Sequence, residues 1–568
     1  PTIASPWLPD PKNSVSHPNP ISRTDLIWPI ADPPLTIQVM DPTISRRQWL
    51  STTGSTTLLG LASLTSPRLT SAATSPPVID IGNRRELFID RYLIAEMKGT
   101  ASQRLHHPVP REVAMQHDEP WEGTGCGYHS IFHDGEKYRM YYKAWHLEVG
   151  KGKLNTGRHP LYCCYAESHD GINWIKPNLE LYDFKGSKKN NITMIPSTVN
   201  GLKVDPGHPA VFKDENPNAA PDALYKAIFR SSGKRGLLPF KSPDGLRWSP
   251  MTDDPILGGL GAFDSQNLAF WDPTLGKYRA YWRIFTAGSI TDKEWKPAGH
   301  RAIRTAVSDD MIKWTEVKDL TYVDSPSEQL YTNQIKHYLR APHILIGFPT
   351  RYIDRGPSVS MSALPDSEHR ELRASSVKRY GHAITEGLLM TSRDGVHFKR
   401  WNEAFLRPGI ERPGTWHYGA QYIGWHVVET KSSLPGAPNE LSLYATEGYW
   451  HGKGSTLRRY TLRLDGFVSI NASMKGGELI TKPLKFSGKQ LELNFSTSAV
   501  GSVRVEIQDS AGKPFKGFAL SECPPQFGDS VKRVVSWKNG SDVSALAGKA
   551  VRLRLELKDA DFYSLRFE

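Results

Sequence analysis

The stretch Ser168-His169-Asp170-Gly171-Ile172-Asn173-Trp174 decides the fold, because the chain repeats it. The other copies are Ser242-Pro243-Asp244-Gly245-Leu246-Arg247-Trp248, Ser308-Asp309-Asp310-Met311-Ile312-Lys313-Trp314, Ser392-Arg393-Asp394-Gly395-Val396-His397-Phe398 and a frayed fifth, Leu464-Asp465-Gly466-Phe467. The aspartates recur every 66 to 84 residues. This interval is too long for one rung of a solenoid and suits a four-stranded blade with its loops. Five copies therefore predict five blades.

Each copy has the character of a tight turn between two strands. Glycine accepts positive φ, and an aspartate carboxylate can accept backbone N–H groups two residues further along the chain. The Trp or Phe that follows can start the next strand and bury a large ring between sheets. Aromatic strands lie upstream in most units, as at 138–142, 225–229 and 278–282. We therefore interpret the repeat as structural and not as a catalytic motif.

The bulk composition is that of a globular protein with many turns. The chain has 568 residues, of which 47 are Gly and 42 Pro, and its centre shows no extended amphipathic helical pattern. The net charge is +12, but Lys and Arg are interspersed with Asp and Glu, which argues against nucleic acid as a partner. A sulfated or uronic-acid polysaccharide fits this charge better. The four cysteines indicate neither a metal site nor a disulfide framework. The oligomeric state stays open.

The N-terminal 73 residues are predicted to lie outside the folded protein. Residues 1–39 are interpreted as a disordered leader or upstream read-through, and residues 40–73 as a Tat-type signal peptide. The twin arginines Arg46 and Arg47 are followed by a weakly apolar segment and by small residues at 71–73. The apolar part is too short for stable membrane insertion. The sequence therefore predicts export to the periplasm or the outside of the cell.

The rest of the chain predicts an all-β fold. Residues 78–470 hold the repeats and are assigned to a five-bladed β-propeller, which an early strand at 86–94 is expected to close by pairing with the last blade. Residues 471–568 alternate with period two and are assigned to a C-terminal β-sandwich. This sandwich either braces the propeller or binds sugar itself.

The repeated turn followed by a predicted sandwich resembles the five-bladed β-propeller glycoside hydrolases of families 32, 43, 68 and 130. The order of its parts is most similar to family 32. It also resembles a group of exported proteins from planctomycete-type bacteria. The resemblance implies cleavage of glycosidic bonds in a polysaccharide or oligosaccharide by paired carboxyl groups in the propeller cavity, with a third carboxylate that orients the acid.

Candidate catalytic carboxylates are those just before each inner strand, where distant residues converge on the axis. Sugar cleavage needs one carboxyl group as acid and one as base or nucleophile. Glu122 is the candidate nucleophile or base, Asp264 the middle carboxylate and Glu328 the general acid. Other residues that compete for the acid role are Glu429, Glu440 and Glu447. Asp264 belongs to a polar cluster inside an apolar strand, which suggests that the cluster faces a wet cavity or satisfies itself.

Candidate substrate-binding residues come from the same strand starts. They are Asp118, His208, Gln266, Asn267, Arg351, Trp416 and His417. Trp416 and His417 offer ring faces and nitrogens for a sugar, and Arg351, like Arg283, offers a charge for an anionic substituent. No HExxH motif or phosphate-binding loop occurs, so no cofactor and no catalytic metal are predicted, although a structural calcium ion would leave no trace. The alternatives are a non-catalytic carbohydrate-binding propeller and a glycoside phosphorylase.

Overall fold

The computed structural model describes residues 77–291 and 294–568. The predicted leader, 1–39, and the predicted signal peptide, 40–73, lie outside these residues. The first strands of the described part are β1 (Ile79–Gly82), β2 (Glu86–Leu87), β3 (Ile94–Gly99), β4 (Ser102–Leu105) and β5 (Val109–Gln116). Within the described residues, no helix is both long and apolar enough to span a membrane.

The first two blades each bring consecutive antiparallel strands into one sheet. Blade one and its side hairpin use β6 (Gly127–His133), β7 (Tyr138–Ala144), β8 (Glu148–Gly150), β9 (Lys153–Asn155), β10 (Tyr162–Ser168) and β11 (Ile192–Met194). Blade two uses β12 (Ser197–Val199), β13 (Leu202–Lys213), β14 (Tyr225–Ser231), β15 (Leu237–Ser242) and β16 (Ser249–Pro250). The second strand of a blade, such as β7, is buried on both faces because neighbouring blades cover it. This explains its nearly continuous apolar and aromatic sequence.

The third and fourth blades carry the longest insertions. Blade three is β17 (Leu268–Asp272), β18 (Lys277–Ile290), β19 (Trp295–Ser308) and β20 (Trp314–Asp319). Blade four is β21 (Thr321–Val323), β22 (Lys336–Tyr338), β23 (Ala341–Gly347), β26 (Met390–Ser392) and β27 (His397–Arg400), with an excursion between β23 and β26. The excursion contains β24 (Thr350–Asp354), α1 (Val359–Ala363), α2 (Ser367–Ser376), α3 (Lys378–His382) and β25 (Ala383–Gly387).

The fifth blade closes the ring with a strand from the beginning of the chain. Its strands are β28 (Val428–Thr430), β29 (Glu440–Glu447) and β30 (Thr456–Arg463), and β5 pairs antiparallel with β30 as the fourth. Residues 109–463 thus form a five-bladed propeller, which confirms the predicted fold class. Closure by an early strand is observed, but the strand is β5 and not the predicted 86–94.

The remaining strands form an eight-stranded sheet, joined by the small parallel pair of β1 and the C-terminal strand β33. The C-terminal strands are β31 (Val468–Ala472), β32 (Gly477–Thr481), β33 (Leu484–Phe486), β34 (Leu491–Gln508), β35 (Asp529–Val534) and β36 (Arg552–Phe567). Strands β2, β3 and β4 pair with β36, β32 and β31. The strands of residues 79–105, assigned to the propeller from sequence, therefore pair with C-terminal strands: β1 with β33, and β2 to β4 within the eight-stranded sheet. The sequence does not reveal these pairs because the partners lie more than 350 residues away. The sandwich layering itself stays a prediction.

The repeated turns have the predicted geometry. Asp170 Oδ1 accepts the N–H groups of Ile172 and Asn173, both at 2.8 Å, and Ser168 Oγ accepts that of Gly171 at 2.9 Å. These backbone N–H bonds hold the pKa of Asp170 at about 2 although burial alone would raise it. The second and fourth copies repeat the pattern, with φ of 77° at Gly245 and 82° at Gly395. The turns thus stabilise the blades.

The frayed fifth turn has a different structural role. Asp465 is fully buried between the propeller and the C-terminal sheet. Its carboxylate accepts hydrogen bonds from Tyr338 Oη at 2.8 Å in blade four and from Ser564 Oγ at 2.7 Å in β36, and it pairs with Arg340 at 3.0 Å. The turn sequence is kept here, but it joins two domains instead of two strands of one blade.

Candidate functional site

A bulge in β13 places a histidine at the end of the propeller where the inner strands begin. Asp205 pairs with Arg230 and Ala210 with Ile228, so residues 206–209 have no partners in the ladder. Pro206 has no N–H group to donate, and Asp205 Oδ1 accepts the N–H of Gly207 at 2.8 Å. This local turn brings the His208 ring beneath the loop that precedes β17.

His208 joins two carboxylates from different blades. Its Nδ1 lies 3.1 Å from Asp205 Oδ2 and its Nε2 lies 3.1 Å from Asp264 Oδ1. Arg230 completes the group, because its Nε is 3.2 Å from Asp205 and its Nη1 is 3.3 Å from Asp264. Asp205 and His208 are buried, whereas the Asp264 side chain is 65% exposed. Asp264 is therefore the carboxylate of this network that a ligand can reach.

The network fixes the charge of each member. The hydrogen bond from His208, followed by the charges of His208 and nearby arginines, lowers the pKa of Asp264 well below its ordinary value. Burial alone would raise the pKa of Asp205, but His208 and Arg230 hold it at about 2. Burial alone would lower the pKa of His208, but the two carboxylates raise it. The arrangement is thus two carboxylates around an imidazole that favours its protonated form.

A cleft of 430 Å³ opens beside Asp264. Its wall includes Phe263, Arg230, Arg235 and Trp295, the last at the end of the long hairpin formed by β18 and β19. The Trp295 ring is 45% exposed and stacks on the Arg235 guanidinium, with 4.4 Å between Cζ and the ring centroid. An exposed indole next to an ionised carboxylate is suited to hold a sugar ring by its apolar face.

A cluster of aromatic side chains lies on the other side of His208. We call it the tyrosine cluster, and its members are Tyr128, Tyr331, Tyr352, Tyr380, Tyr418, Tyr422, Tyr449, Trp145 and Trp450. It is continuous with the network, since the rings of Tyr128 and His208 are 5.5 Å apart. The Tyr418 hydroxyl donates to that of Tyr331 at 3.0 Å. Loops from blades one, four and five thus meet here.

Besides Arg373 of α2, four cations of the described residues contact rings or hydroxyl groups of this cluster. Lys143 Nζ lies 4.6 Å from the ring centroid of Tyr128 and 3.1 Å from Tyr449 Oη. Arg283 and Arg301 lie 5.0 and 5.2 Å from the centroid of Tyr331, and Arg379 lies 4.5 Å from that of Tyr380. Within residues 77–291 and 294–568, none of the four makes a salt bridge to a carboxylate. Burial lowers the pKa of Lys143, as expected for an ammonium without a carboxylate partner.

The helical excursion of blade four holds the loops of the cluster. Arg370 and Arg373 of α2 are almost fully buried. Arg370 Nη2 donates to Trp416 O at 3.1 Å, and the Arg373 guanidinium donates to the carbonyl groups of Tyr418 and Tyr449. Burial lowers the pKa of Arg373 to about 9. Both arginines therefore serve as bridges between the helix and the loops, and not as binding groups.

Of the predicted site residues, the structure brings together Asp264 and His208. Gln266 and Asn267, which follow Asp264, are buried and turned away from the cleft. Gln266 Nε2 donates to the carbonyl groups of Tyr128 and Pro209, both at 2.9 Å. Asn267 Nδ2 donates to Phe263 O and Ser265 O within its own loop. These two side chains satisfy backbone carbonyl groups. They therefore fit the interpretation that the polar cluster satisfies itself and does not face a wet cavity.

Glu122 and Asp118 lie apart from the cleft, near the outer strands of blade one. Glu122 is fully buried, accepts a hydrogen bond from Tyr142 Oη, and pairs with Lys176 at 2.7 Å. Burial raises its pKa in spite of Lys176. Asp118 is exposed and lies 3.4 Å from the same lysine. Neither residue contacts the Asp264 network.

Glu328 and Arg351 form an ion-pair group of their own. Glu328 pairs with Arg351 at 3.1 Å and with Arg400 at 2.9 Å, and Arg351 also pairs with Glu386 at 2.6 Å. Both carboxylate oxygens of Glu328 are thus engaged by guanidinium groups, and Glu328 does not contact the Asp264 network, so the structure does not place it where the predicted general acid would act.

The remaining predicted residues belong to the loop before β28. Trp416 Nε1 donates to Gly409 O at 3.0 Å, and the buried His417 Nε2 lies 3.2 Å from Asp366 Oδ2. Burial lowers the pKa of His417 well below its ordinary value. Their neighbour Tyr418 is the residue of this loop that belongs to the tyrosine cluster.

No cluster of three or more His, Cys, Asp or Glu side chains suited to a metal ion occurs in the described part of the chain. The four cysteines, Cys126, Cys163, Cys164 and Cys523, are buried and free. The groups that line the site are a carboxylate, an imidazole, cationic groups and aromatic rings.

No protein-family model and no curated protein matches the chain. Among solved structures, it is similar to a thermostable family-43 glycoside hydrolase, with 12% identity over 60% of this chain and 89% of that chain and a TM-score of 0.35. It is also similar to an N-acetylgalactosamine deacetylase from F. plautii (12% identity, 64% and 95% covered, TM-score 0.35) and to the GH62 α-L-arabinofuranosidase of Coprinopsis cinerea (10% identity, 63% and 99% covered, TM-score 0.37). One of these matches carries the name of family 43, which is among the families that the sequence resembles. A closer relation to family 32 and an origin in planctomycete-type bacteria stay predictions.

Proposed function

We propose that this protein is an exported glycoside hydrolase that acts on an oligosaccharide or polysaccharide with anionic substituents, and that Asp264 is its reactive carboxylate. One observation carries the proposal. Asp264 is an exposed carboxylate that His208 and Arg230 hold in its ionised form, in a cleft lined by the exposed indole of Trp295. Export rests on the twin arginines at 46 and 47.

An ionised carboxylate can take a proton from water or attack the anomeric carbon. His208 cannot serve as the acid on the opposite side of the same bond. Its Nε2 is 3.1 Å from Asp264, whereas the two catalytic groups of a glycosidase stand at least about 5 Å apart. His208 is therefore a positioning residue, which orients Asp264 and keeps it charged.

The four cations of the tyrosine cluster favour an anionic substrate. Lys143 and Arg283 are buried, whereas Arg301 and Arg379 are half-buried. A buried cation without a carboxylate partner is costly, and a bound sulfate or carboxylate group would neutralise it. Arg283 and Arg301 contact the same ring, that of Tyr331, so both can approach one substituent. Planar guanidinium groups bind sulfate and carboxylate oxygens in pairs.

Phosphorolysis is the second candidate, because one reachable carboxylate beside several cations also suits this reaction. An oxygen of inorganic phosphate would then form the bond to the anomeric carbon as the glycosidic C–O bond breaks. The leaving oxygen would take a proton from the dihydrogen phosphate ion itself. The cations would hold the phosphate, and no second carboxylate would be needed.

The test is sugar release by the purified protein from neutral polysaccharides, from sulfated ones and from uronic-acid polymers, with and without inorganic phosphate. We expect release from an anionic polymer without phosphate, and a loss of about a thousandfold in Asp264→Asn. Asp254→Asn is the matched control, since Asp254 is 73% exposed and pairs only with Lys234.

Three other results would change the assignment. Activity that requires phosphate would replace hydrolysis by phosphorolysis. Equal activity of Asp264→Asn would remove Asp264 from the mechanism. Binding of the polymers without turnover in either buffer would favour the non-catalytic carbohydrate-binding alternative.

A further inference from the structure

A second cavity lies at the opposite end of the propeller, where the inner strands end. It has a volume of 680 Å³ and is lined by the ends of β6 and β13 and by β22. Tyr128 and His208 stand at the beginning of the same inner strands, so the two sites face opposite directions along the axis. The volume falls in the range of small-molecule sites, about 300–1,000 Å³.

Two glutamines separate this cavity from the Asp264 network. Gln334 lines the cavity and donates from Nε2 to Gln266 Oε1 at 2.7 Å and to Ile423 O at 2.9 Å. Gln266 in turn donates to the carbonyl of Tyr128, whose ring packs beside His208. Both glutamines are buried. A ligand in the cavity would therefore not touch the reactive carboxylate.

The cavity is lined by three side chains that each carry a buried acceptor without a partner in the described part of the chain. His426 Nδ1 is 2.9 Å from Ile131 O and so carries the hydrogen, which leaves Nε2 as an acceptor. His337 Nε2 faces Glu215 at 2.9 Å, which leaves Nδ1 as an acceptor. Gln334 Oε1 is the third. All three side chains are more than nine-tenths buried. Buried acceptors of this kind call for donors.

The charges that line the cavity, taken with their ion-pair partners, cancel in sum. Glu215 pairs with Lys336 at 3.1 Å, while Asp214 pairs with Lys226 and Asp134 with Arg139. Lys213 and Glu429 are opposite in sign and make no salt bridge in the described part of the chain; Lys213 donates to Asp134 O, and Glu429 accepts from Asn439 Nδ2. An ion would upset this balance, whereas a neutral ligand would not. Phe212 and Phe348 supply apolar surface in the same wall.

We propose that this cavity is a second ligand site, beyond the proposed function, and that it binds a neutral polyhydroxylated molecule such as a sugar unit. The ligand's hydroxyl groups would donate to the nitrogens of His337 and His426 and to Gln334 Oε1, and the phenylalanine rings would pack on its apolar face. The site would hold a sugar without acting on it.

The test is titration of the full-length protein with D-glucose, D-galactose, D-xylose and cellobiose, by calorimetry and by saturation-transfer NMR in the presence of EDTA. Two variants change the cavity. Leu339→Trp fills its mouth at a residue that is 42% exposed, and His337→Phe removes an acceptor. Leu275→Trp is the control, since Leu275 is 47% exposed, lies in a turn of blade three and does not line the cavity. Trp295→Ala reports on the Asp264 cleft.

We expect at least one of the four sugars to bind, with Kd raised about tenfold or more in both cavity variants and unchanged in Leu275→Trp and Trp295→Ala. Thermal unfolding confirms that each variant is folded. The proposal is overturned if no sugar binds the wild-type protein at millimolar concentration, or if binding is lost in Trp295→Ala and kept in Leu339→Trp. It is also overturned if binding requires added Ca²⁺. These outcomes are independent of whether Asp264 is catalytic.

Discussion

His208 is the residue on which the proposed site depends. It is buried between Asp205 and Asp264, which come from different blades and have only Arg230 as a further shared partner. A protonated imidazole can donate to both carboxylates at once, while a neutral one can donate to only one. The network is therefore complete only while His208 is charged.

This gives a pH-dependent contribution of His208 to stability. Folding raises the pKa of His208 above 6.5, so the protonated imidazole stabilises the fold below pH 6.5. This stabilisation is lost as the pH rises through the raised pKa. The pKa of Asp205 is lowered from 3.8 to about 2 on folding, so its carboxylate stabilises the fold above pH 3.8. This stabilisation is lost as the pH falls through about 2. We expect His208→Gln to lower the free energy of unfolding by about 2 kcal/mol between pH 4 and 6.5, and by less at pH 9. Denaturant unfolding of both proteins across this range measures it, and a constant difference would contradict it.

At the residue scale, the sequence identifies site residues that stand out as polar within apolar sequence. It misses site residues whose position depends on partners far away in the chain. Asp264 and His208 interrupt apolar stretches of sequence, which marks them, although Asp264 lies in the loop before β17 and not in a strand. Arg230 and Trp295 look like ordinary surface residues until the long hairpin of blade three brings them to the cleft. Glu122 has the same kind of anomaly as Asp264, but its partner is Lys176, 54 residues further along the chain. No local pattern distinguishes the two cases.

The repeated turns show how one element is adjusted to its neighbour. Tyr281 Oη donates to Gly395 O at 2.9 Å, and the Tyr444 hydroxyl donates to Gly171 O, so a tyrosine of one blade touches the turn of the next. In blade two the corresponding residue is Ile228, and the turn of blade three carries Met311 at a φ of 66°. A side chain is thus accepted at this position where no hydroxyl approaches. The glycine serves two needs, positive φ and close approach.

The two needs can be separated by substitution. At Gly245, φ is 77° and an added Cβ would come within 2.6 Å of Tyr141 Oη. At Gly259, φ is 71° and nothing lies within 4 Å. We expect Gly259→Ala to cost about 1 kcal/mol for the left-handed backbone alone, and Gly245→Ala to cost about 3 kcal/mol because overpacking is added. Denaturant unfolding measures both. Equal costs would mean that Tyr141 moves aside freely.

At the scale of elements, the sequence predicts where strands and turns lie but not which strands pair with each other. The repeat predicts five blades and their turns, since the signal is local. It does not predict that β5 closes the ring or that β1 to β4 join the C-terminal sheet. The fifth turn also misleads, because Asp465 keeps the turn sequence while its carboxylate binds Tyr338 and Ser564 across a domain contact.

At the scale of the whole propeller, two buried amide groups link the inner edges of the blades at the axis. Gln266 from blade three bonds to carbonyl groups in blades one and two, and Gln334 from blade four bonds to Gln266 and to Ile423 before blade five. All five inner edges therefore meet through two amide groups. This also separates the Asp264 end of the axis from the second cavity.

The axial role of Gln266 predicts an effect on stability and not on substrate affinity. Gln266→Leu would leave the buried carbonyl groups of Tyr128 and Pro209 and one N–H of the Gln334 amide without partners, which we expect to cost about 3 kcal/mol. Gln103→Leu is the matched control, since Gln103 also donates to two carbonyl groups but is half-buried and bridges residues close in sequence. This control is expected to cost about 1 kcal/mol.

Since Gln266 and Gln334 contact each other, the double variant Gln266→Leu/Gln334→Leu should cost less than the sum of the single ones. Denaturant unfolding measures all four variants. Weaker polysaccharide binding by Gln266→Leu at unchanged stability would instead return Gln266 to the substrate site.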